Sequence, residues 1–411
     1  MVWKRHDYGI CGPAAVGLSM LSLALYTANP DSEFCIEQLV QESSQFNLVI
    51  KSSPQPPAAD LFQSLKRHDP DVILLDLSEW DSAGNFPGGA AALALALQAS
   101  DLRTVVIGFL PSWSALQQEE FRAAGIIDLL PLPFSSLELE RLIYDALHRN
   151  HPVSNQNILA FLPAKAGGGC SVIAVNTAAA LANQIHKKVL LLEADRCSGP
   201  LAIMLNLERH RGLPQALTNA VNMTALDWQQ QYVEAFGLHI LLAEPGRRDL
   251  LPGWAEYYQL LHFVQTRYDF IVADLPEVVN PASAEVVRCA RAVFLVCTPE
   301  VPSLRMAMQR LAELEDYGVA SDRIHIVLNR QERRGLPVQE IEAVLGHSVF
   351  AALPNDYSHV RDAIVESRLV ARNSPFGEGC QALARKLSGL KQSSLMESTF
   401  GLLGKLRRRA G

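Results

Sequence analysis

The chain has 411 residues, of which 49% are hydrophobic and 19% are charged, so it is long enough for two or three domains with sizeable cores. Its formal net charge of −7 argues against non-specific nucleic-acid binding by the body of the protein. Seven scattered cysteines contain no C-x-x-C pair, which argues against a disulfide framework or a zinc site and favours the reducing cytoplasm.

Residues 18–148 alternate between apolar, strand-like runs and helical patterns. They follow a lead-in over residues 1–17 that lacks the layout of a signal peptide. Strands are predicted at 21–26, 47–50, 71–76, 103–110 and 129–132, and helices at 33–44, 58–67, 89–99, 114–124 and 137–147. This alternation predicts a parallel sheet covered by helices on both faces. A polar stretch, residues 149–156, is the predicted linker to a second block.

The second block, residues 157–390, shows the same alternation. Its strands are predicted at 158–162, 189–192, 238–242, 270–273, 292–297, 324–328 and 349–352, with helices such as 172–185 and 304–317. The fold class expected for both blocks is therefore α/β with a mostly parallel sheet.

A glycine-rich turn joins the first strand of the second block to its first helix. Its residues are Lys165-Ala166-Gly167-Gly168-Gly169-Cys170-Ser171. Such a turn points backbone N–H groups and the helix dipole at one spot, which suits a phosphate. In the P-loop pattern G-x-x-x-x-G-K-[ST] the lysine reaches the outer phosphates and the hydroxyl holds Mg²⁺. Here the lysine position holds Cys170, while a lysine lies upstream at Lys165.

The turn resembles the deviant Walker A loop of the ParA/MinD P-loop ATPases, whose pattern is K-G-G-x-G-K-[ST]. Residues 189–195, VLLLEAD, resemble the second motif of that family, a strand ending in D-x-D. Residues 268–276, YDFIVADLP, resemble its Walker B strand, and three further segments follow in the family's order, at 294–300, 327–330 and 353–357. The resemblance implies a P-loop NTPase domain that binds ATP and Mg²⁺ and forms a homodimer.

The resemblance also assigns metal and catalytic roles. Ser171 and Asp274 would hold Mg²⁺, Asp195 would position the attacking water, and Lys165 would reach across a dimer to the partner's nucleotide. From the residues alone, Asp274 could instead cap a turn, Lys165 could be an ordinary surface lysine, and Asp195 with Glu193 could be solvated turn acids.

The remaining residues implied by the resemblance would bind the nucleotide. On the adenine side these are Asn329 and Arg330, with Pro354 and Asp356 in the loop that covers the base; ordinary loop chemistry after a strand is the alternative. The residues implied at the phosphates are Lys165, Ala166, Gly167, Gly168, Gly169, Cys170, Ser171 and Val172.

Cys170 is the main departure from the family pattern. A thiol cannot supply positive charge to the β- and γ-phosphates, and the loss of one preorganised charged contact typically costs ~3 kcal/mol, roughly a hundredfold or more in rate. We therefore expect hydrolysis to be weak or absent. A reactive thiol is the alternative, because helix N-termini lower thiol pKa values. Ala166 replaces a family glycine and would be strained if its φ were positive.

Residues 18–148 resemble a response-regulator receiver in which Asp76 takes the place of the phospho-acceptor. A working receiver also needs an acidic pair after its first strand and a lysine before the Pro-Phe near its last strand. This chain has Thr27-Ala28-Asn29-Pro30 and Leu132-Pro133-Phe134 at those places. Without those charges Mg²⁺ would not be held and a phosphoryl group would be unpaired. We predict a degenerate receiver that serves as a docking or dimerisation module.

The tail, residues 391–411, is basic and amphipathic. The segment Leu395–Arg409 resembles the C-terminal targeting helix of MinD-like proteins, so its apolar face could lie in a membrane interface while its basic residues meet anionic lipids. A disordered basic tail or a helix that docks on a partner is the alternative, and Gly401 and Gly404 weaken a helix there.

A receiver-like block followed by a MinD-like block resembles the CpaE/TadZ branch, which helps assemble and place Tad (Flp) pili. The resemblance implies a cytoplasmic ATP-binding localisation factor, peripheral at the inner membrane or cell pole, that recruits pilus or type II–IV secretion machinery. Two alternatives are an active ParA-like ATPase in chromosome or plasmid partitioning or division-site placement, and a nucleotide-free scaffold. Nucleic acid is not expected as a partner.

Overall fold

The computed structural model describes residues 20–43, 45–52, 58–78, 104–150, 157–195, 199–208, 212–244 and 253–389. The N-terminal lead-in, the predicted helix at 89–99, most of the predicted linker and the basic tail lie outside these residues. The chain folds into two compact units. The first is Met1–Pro152 with Gln215–Met223 and Pro252–Leu260, and the second is Val153–Pro214, Thr224–Leu251 and Leu261–Gly411.

A five-stranded parallel sheet forms the centre of the first unit, in the strand order β2-β1-β3-β4-β5. The strands are β1 (Leu21–Tyr26), β2 (Phe46–Ser52), β3 (Val72–Asp76), β4 (Val105–Leu110) and β5 (Asp128–Pro131). The helices are α1 (Pro30–Glu42), α2 (Ala58–His68), α3 (Ala115–Ala123) and α4 (Ser136–Asn150). The order reverses between β1 and β3, which is the switch point where doubly wound sheets bind ligands.

In this unit α1 begins earlier and α4 ends later than predicted. α1 begins at Pro30 rather than at residue 33, because the Asn29 side chain accepts a hydrogen bond from the Asp31 N–H (2.9 Å) and Pro30 suits the first helical position. α4 continues to Asn150, two residues into the predicted linker.

An eight-stranded sheet forms the centre of the second unit, in the order β13-β12-β11-β6-β10-β7-β9-β8. β8, at one edge, pairs antiparallel with β9, and it was not predicted. The strands are β6 (Ile158–Pro163), β7 (Val189–Glu193), β8 (Val233–Ala235), β9 (Leu238–Leu241), β10 (Phe270–Asp274), β11 (Ala292–Cys297), β12 (Ile324–Gln331) and β13 (Val349–Pro354).

The remaining helices follow in chain order. They are α5 (Cys170–Gln184), α6 (Leu201–Met204), α7 (Leu213–Thr218), α8 (Ala225–Gln229), α9 (Trp254–Val264), α10 (Pro281–Cys289), α11 (Val301–Asp316), α12 (Val338–Leu345), α13 (Tyr357–Val365) and α14 (Pro375–Gly389). Within the described part of the chain, none of the helices has the length and apolar character needed to span a membrane.

The central strands of the larger sheet are buried along their whole length, as expected for strands covered on both faces. Every position of β6, β10 and β11 is buried, and Phe161 and Phe294 stack across β6 and β11 with ring centroids 5.0 Å apart. α5 packs its small, buried residues, such as Ala174 and Ala178, into the same core. This packing holds the end of β6 and the start of α5 at the carboxyl edge of the sheet, where the glycine-rich turn joins them.

Candidate functional site

Two glycines set the shape of the turn between β6 and α5. Gly167 and Gly169 have φ values of 77° and 89°, in the left-handed region that favours glycine. A Cβ atom on Gly169 would also lie 2.4 Å from Nδ2 of Asn329. Ala166 is not among the residues with positive φ, so its replacement of a family glycine introduces no strain there.

Cys170 is the first residue of α5, and its side chain is buried. Burial, followed by the charge of the adjacent Asp274 carboxylate, raises the pKa of the thiol well above its usual range. A helix N-terminus alone would lower a thiol pKa, but burial and the neighbouring carboxylate have the larger effect here. The geometry therefore does not support the alternative of a reactive thiolate.

Asp274 is the last residue of β10, the strand between β6 and β7, and it is 1% exposed. Burial, with the carboxylates of Glu193 and Asp195, raises its pKa from 3.8 to about 7, although the neighbouring Ser171 hydroxyl and Cys170 thiol act in the opposite direction. Neither carboxylate oxygen accepts a hydrogen bond of normal geometry within the described residues, so the side chain does not cap a turn. A buried carboxylate of this kind beside a half-buried hydroxyl, Ser171, fits Mg²⁺, which prefers oxygen ligands.

The two acids at the end of β7 have different surroundings. Glu193 is fully buried, and its two carboxylate oxygens accept hydrogen bonds from the N–H groups of Leu201 (2.7 Å) and Ala243 (2.8 Å). The alternative of a solvated turn acid is therefore wrong for Glu193. Its hydrogen bonds connect the start of α6 with the residues after β9. Asp195 is half-buried, and its carbonyl oxygen accepts a hydrogen bond from the Gly199 N–H (3.0 Å). Of the two, Asp195 is the one that solvent reaches.

The predicted adenine-side pair contacts the glycine turn. Asn329 is buried, and its Nδ2 donates to the carbonyl oxygen of Gly168 (2.8 Å) while its Oδ1 accepts from the Arg330 N–H (2.9 Å). The guanidinium of Arg330 donates to the carbonyl oxygen of Gly167 (2.8 Å). Both side chains therefore help to hold the turn in place. Sequence reasoning missed this contact, although the strand order, with β12 and β6 both flanking β11, brings the two segments near each other.

Lys165 and Val172 lie at the two ends of the predicted phosphate-binding segment. Lys165 is exposed, and within the described ranges its side chain has neither a hydrogen bond nor an ion pair. Val172 is half-buried and packs against the core of the unit.

The loop predicted to cover the base follows β13. Pro354 ends that strand in register with Gln331. Asp356 contacts Nδ1 of His359 (2.6 Å) and accepts a hydrogen bond from the Phe376 N–H (3.1 Å). Although partial burial acts in the other direction, these contacts hold the pKa of Asp356 below its usual value. Its carboxylate is thus engaged at the start of α13.

In the first unit, Asp76 ends β3 at the switch point of the smaller sheet. The Thr27 hydroxyl donates to one carboxylate oxygen (2.6 Å) and the Ser78 N–H donates to the other (3.0 Å). Asp76 is buried, as is Thr27, which stands where a working receiver has its acids. Both oxygens of Asp76 are therefore engaged by the chain itself.

No family model matches the chain, but individual proteins resemble it. The septum site-determining protein MinD of Thermotoga maritima is 24% identical over 246 residues, which cover 57% of this chain and 88% of the relative. MinD of Synechocystis sp. is 27% identical over 265 residues, which cover 61% of this chain and 97% of the relative. Among solved structures, a ParA family ATPase from Chlorobium tepidum is 23% identical with a TM-score of 0.52, over 56% of this chain and 99% of that one. The structural match supports an α/β P-loop fold with a mostly parallel sheet.

Proposed function

We propose that the protein is an ATP-binding localisation factor of the CpaE/TadZ type with weak or absent hydrolysis, because about 57% of the chain is similar to MinD proteins. One observation carries the proposal. At the carboxyl edge of the larger sheet, the buried carboxylate of Asp274, which accepts no hydrogen bond of normal geometry from the described residues, lies beside Ser171, and Cys170 occupies the position of the P-loop lysine.

Binding of ATP would depend on the turn and on two side chains. The N–H groups at the start of α5 would donate hydrogen bonds to the phosphates, and the helix dipole would add to the attraction. Asn329 and Arg330 donate hydrogen bonds to the carbonyl oxygens of Gly168 and Gly167 in the turn. Ser171 and Asp274 would hold Mg²⁺, which would neutralise phosphate charge when bound. This arrangement supports nucleotide binding more directly than the alternative of a nucleotide-free scaffold.

Weak turnover follows from the charge at position 170. The Cys170 thiol is buried and stays protonated, so it offers no positive charge to a phosphoryl group in the transition state. Asp195 would still be able to orient a water, but that alone does not replace the lost charge. We expect a rate at least about a hundredfold below that of a P-loop with its lysine.

The localisation role draws on three further features. Lys165 is exposed and would be free to reach the nucleotide of a second copy in a homodimer. The internally engaged Asp76 favours a docking module over a phosphorylated switch. The tail Leu395–Arg409, which lies outside the described residues, would add peripheral contact with the inner membrane. Together these would place pilus or secretion machinery at a site or a cell pole.

Equilibrium binding and phosphate release test the biochemical part. We expect Mg²⁺-dependent binding of ATP and ADP with phosphate release near background. ATP turnover well above background that disappears in Asp195→Ala would instead establish an active ATPase. If neither ATP nor ADP binds under any condition, the alternative of a nucleotide-free scaffold remains. Asp316→Asn, which changes an exposed acid at the end of α11, is the control.

Deletion of the gene tests the cellular role. We expect the deletion to abolish surface pili and the intact chain to restore them.

A further inference from the structure

The side-chain amide of Asn329 is bound to the glycine-rich turn. Its Nδ2 donates to the carbonyl oxygen of Gly168 (2.8 Å), and its Oδ1 accepts from the backbone N–H of Arg330 (2.9 Å). The residue is only 5% exposed, and its Nδ2 lies 2.4 Å from the place that a Cβ atom would take on Gly169. An amide enclosed in this way could bond a base edge only by giving up these hydrogen bonds, which costs free energy in a buried site.

The other polar side chains predicted on the adenine side are also bonded within the chain. The guanidinium of Arg330 donates to the carbonyl oxygen of Gly167 (2.8 Å). The carboxylate of Asp356 contacts Nδ1 of His359 (2.6 Å) and accepts from a backbone N–H at the start of α14 (3.1 Å). Pro354 has no side-chain donor or acceptor. Arg330 is exposed and could stack on a base, but stacking does not tell bases apart, because every base has a π-face.

The hydrogen bond from Asn329 orients a phosphate-binding group of the turn. The carbonyl of Gly168 and the N–H of Gly169 belong to one planar, trans peptide group, so they point in opposite directions. A bond that holds the carbonyl therefore also fixes the direction of the N–H, one of the groups at the start of α5 that suit a phosphate. Asn329 thus acts on the phosphate side of the pocket through the backbone.

We infer that Asn329 and Arg330 are positioning residues of the turn, so that the pocket recognises the polyphosphate of a nucleotide and does not distinguish adenine from guanine. The inference rests on the nucleotide binding proposed above and names the ligand class of that site. An asparagine that bonds adenine with both parts of its amide favours it over a wrong base by about 5- to 150-fold. Here both parts of the amide are bonded to the chain itself.

Calorimetric titration of the intact chain with ADP, GDP and tripolyphosphate, each in Mg²⁺, tests the inference without any variant. We expect the affinities for ADP and GDP to agree within about fivefold, and tripolyphosphate, which has no base, to bind as well. A preference of fivefold or more for either base, or binding of ADP without binding of tripolyphosphate, would overturn the inference and leave the proposed nucleotide binding intact. No binding of any of the three would overturn both.

Asn329→Ala separates positioning of the turn from contact with a base. It should weaken the binding of ADP, GDP and tripolyphosphate by the same factor, about tenfold, because it acts on the turn and not on the base. An unchanged affinity for tripolyphosphate would overturn the positioning role. Asn222→Ala, which removes an exposed amide outside the turn, is the control and should leave all three affinities unchanged.

Discussion

Replacing Asp274 with asparagine should stabilise the nucleotide-free protein. The same substitution should weaken the proposed Mg²⁺ site. The pKa of Asp274 is raised from 3.8 to about 7, so the folded state holds a proton on this group at pH values where the unfolded chain has lost it. The free energy of unfolding therefore falls as the pH rises from about 4 to about 7. At about 1.4 kcal/mol per pH unit, the whole penalty is roughly 4 kcal/mol.

Asparagine approximates the protonated carboxyl and should escape this penalty. The gain in stability of Asp274→Asn over the wild type should rise from roughly 2 kcal/mol at pH 5 to roughly 4 kcal/mol at pH 8. Urea unfolding without metal or nucleotide would measure it, with hydrogen exchange in peptides from β6 and β10 to follow the second unit alone.

Asp316→Asn controls for the loss of one negative charge and should show no gain that depends on pH. If Asp274→Asn is less stable than the wild type at pH 8, or gains the same amount at both pH values, desolvation of this carboxylate is not the dominant effect on its pKa.

Three further substitutions test the hydrogen bonds of the two units. Glu193→Ala leaves the buried N–H groups of Leu201 and Ala243 without acceptors, so urea unfolding should show a loss of about 2–5 kcal/mol, and a loss below about 1 kcal/mol would contradict this role. Asn329→Ala releases the carbonyl oxygen of Gly168 and should weaken ADP binding about tenfold in calorimetry; unchanged affinity would show that the turn needs no such support. Thr27→Val removes the donor to buried Asp76 and should destabilise the first unit by about 1–3 kcal/mol in hydrogen exchange of β3. Thr27→Ser should retain most of that stability, and equal losses for both variants would point to packing instead.

The sequence predicted the sheets better than it predicted their edges. β1 and β11 have the predicted bounds, because continuous apolar runs are typical of buried parallel strands. β8 has only three residues at a sheet edge, so its pattern is too short to indicate a strand. α1 begins three residues before its predicted start, because the helix is set by the Asn29 cap and by Pro30 rather than by the apolar periodicity.

The site was predicted where neighbouring residues in the chain supply the signal. The turn from Lys165 to Ser171 and the strand ending in Asp274 follow local patterns, and the structure brings both to one edge of the sheet. The partners of Glu193 and Asn329 could not be predicted, because they come from distant segments and depend on the order of strands in the sheet. Nor could the raised pKa of Asp274 be predicted, because it depends on burial by several elements at once.

The close approach between Gly169 and Asn329 constrains how this corner can evolve. Any side chain at position 169 would collide with the amide of Asn329, whose Nδ2 lies 2.4 Å from the place of a Cβ atom, and the φ of 89° disfavours such a residue on its own. A smaller residue at position 329 would remove the collision, but it would also remove the hydrogen bond to the carbonyl oxygen of Gly168. Neither position can therefore change alone without loss, and among relatives the glycine and the asparagine should be inherited together as a pair.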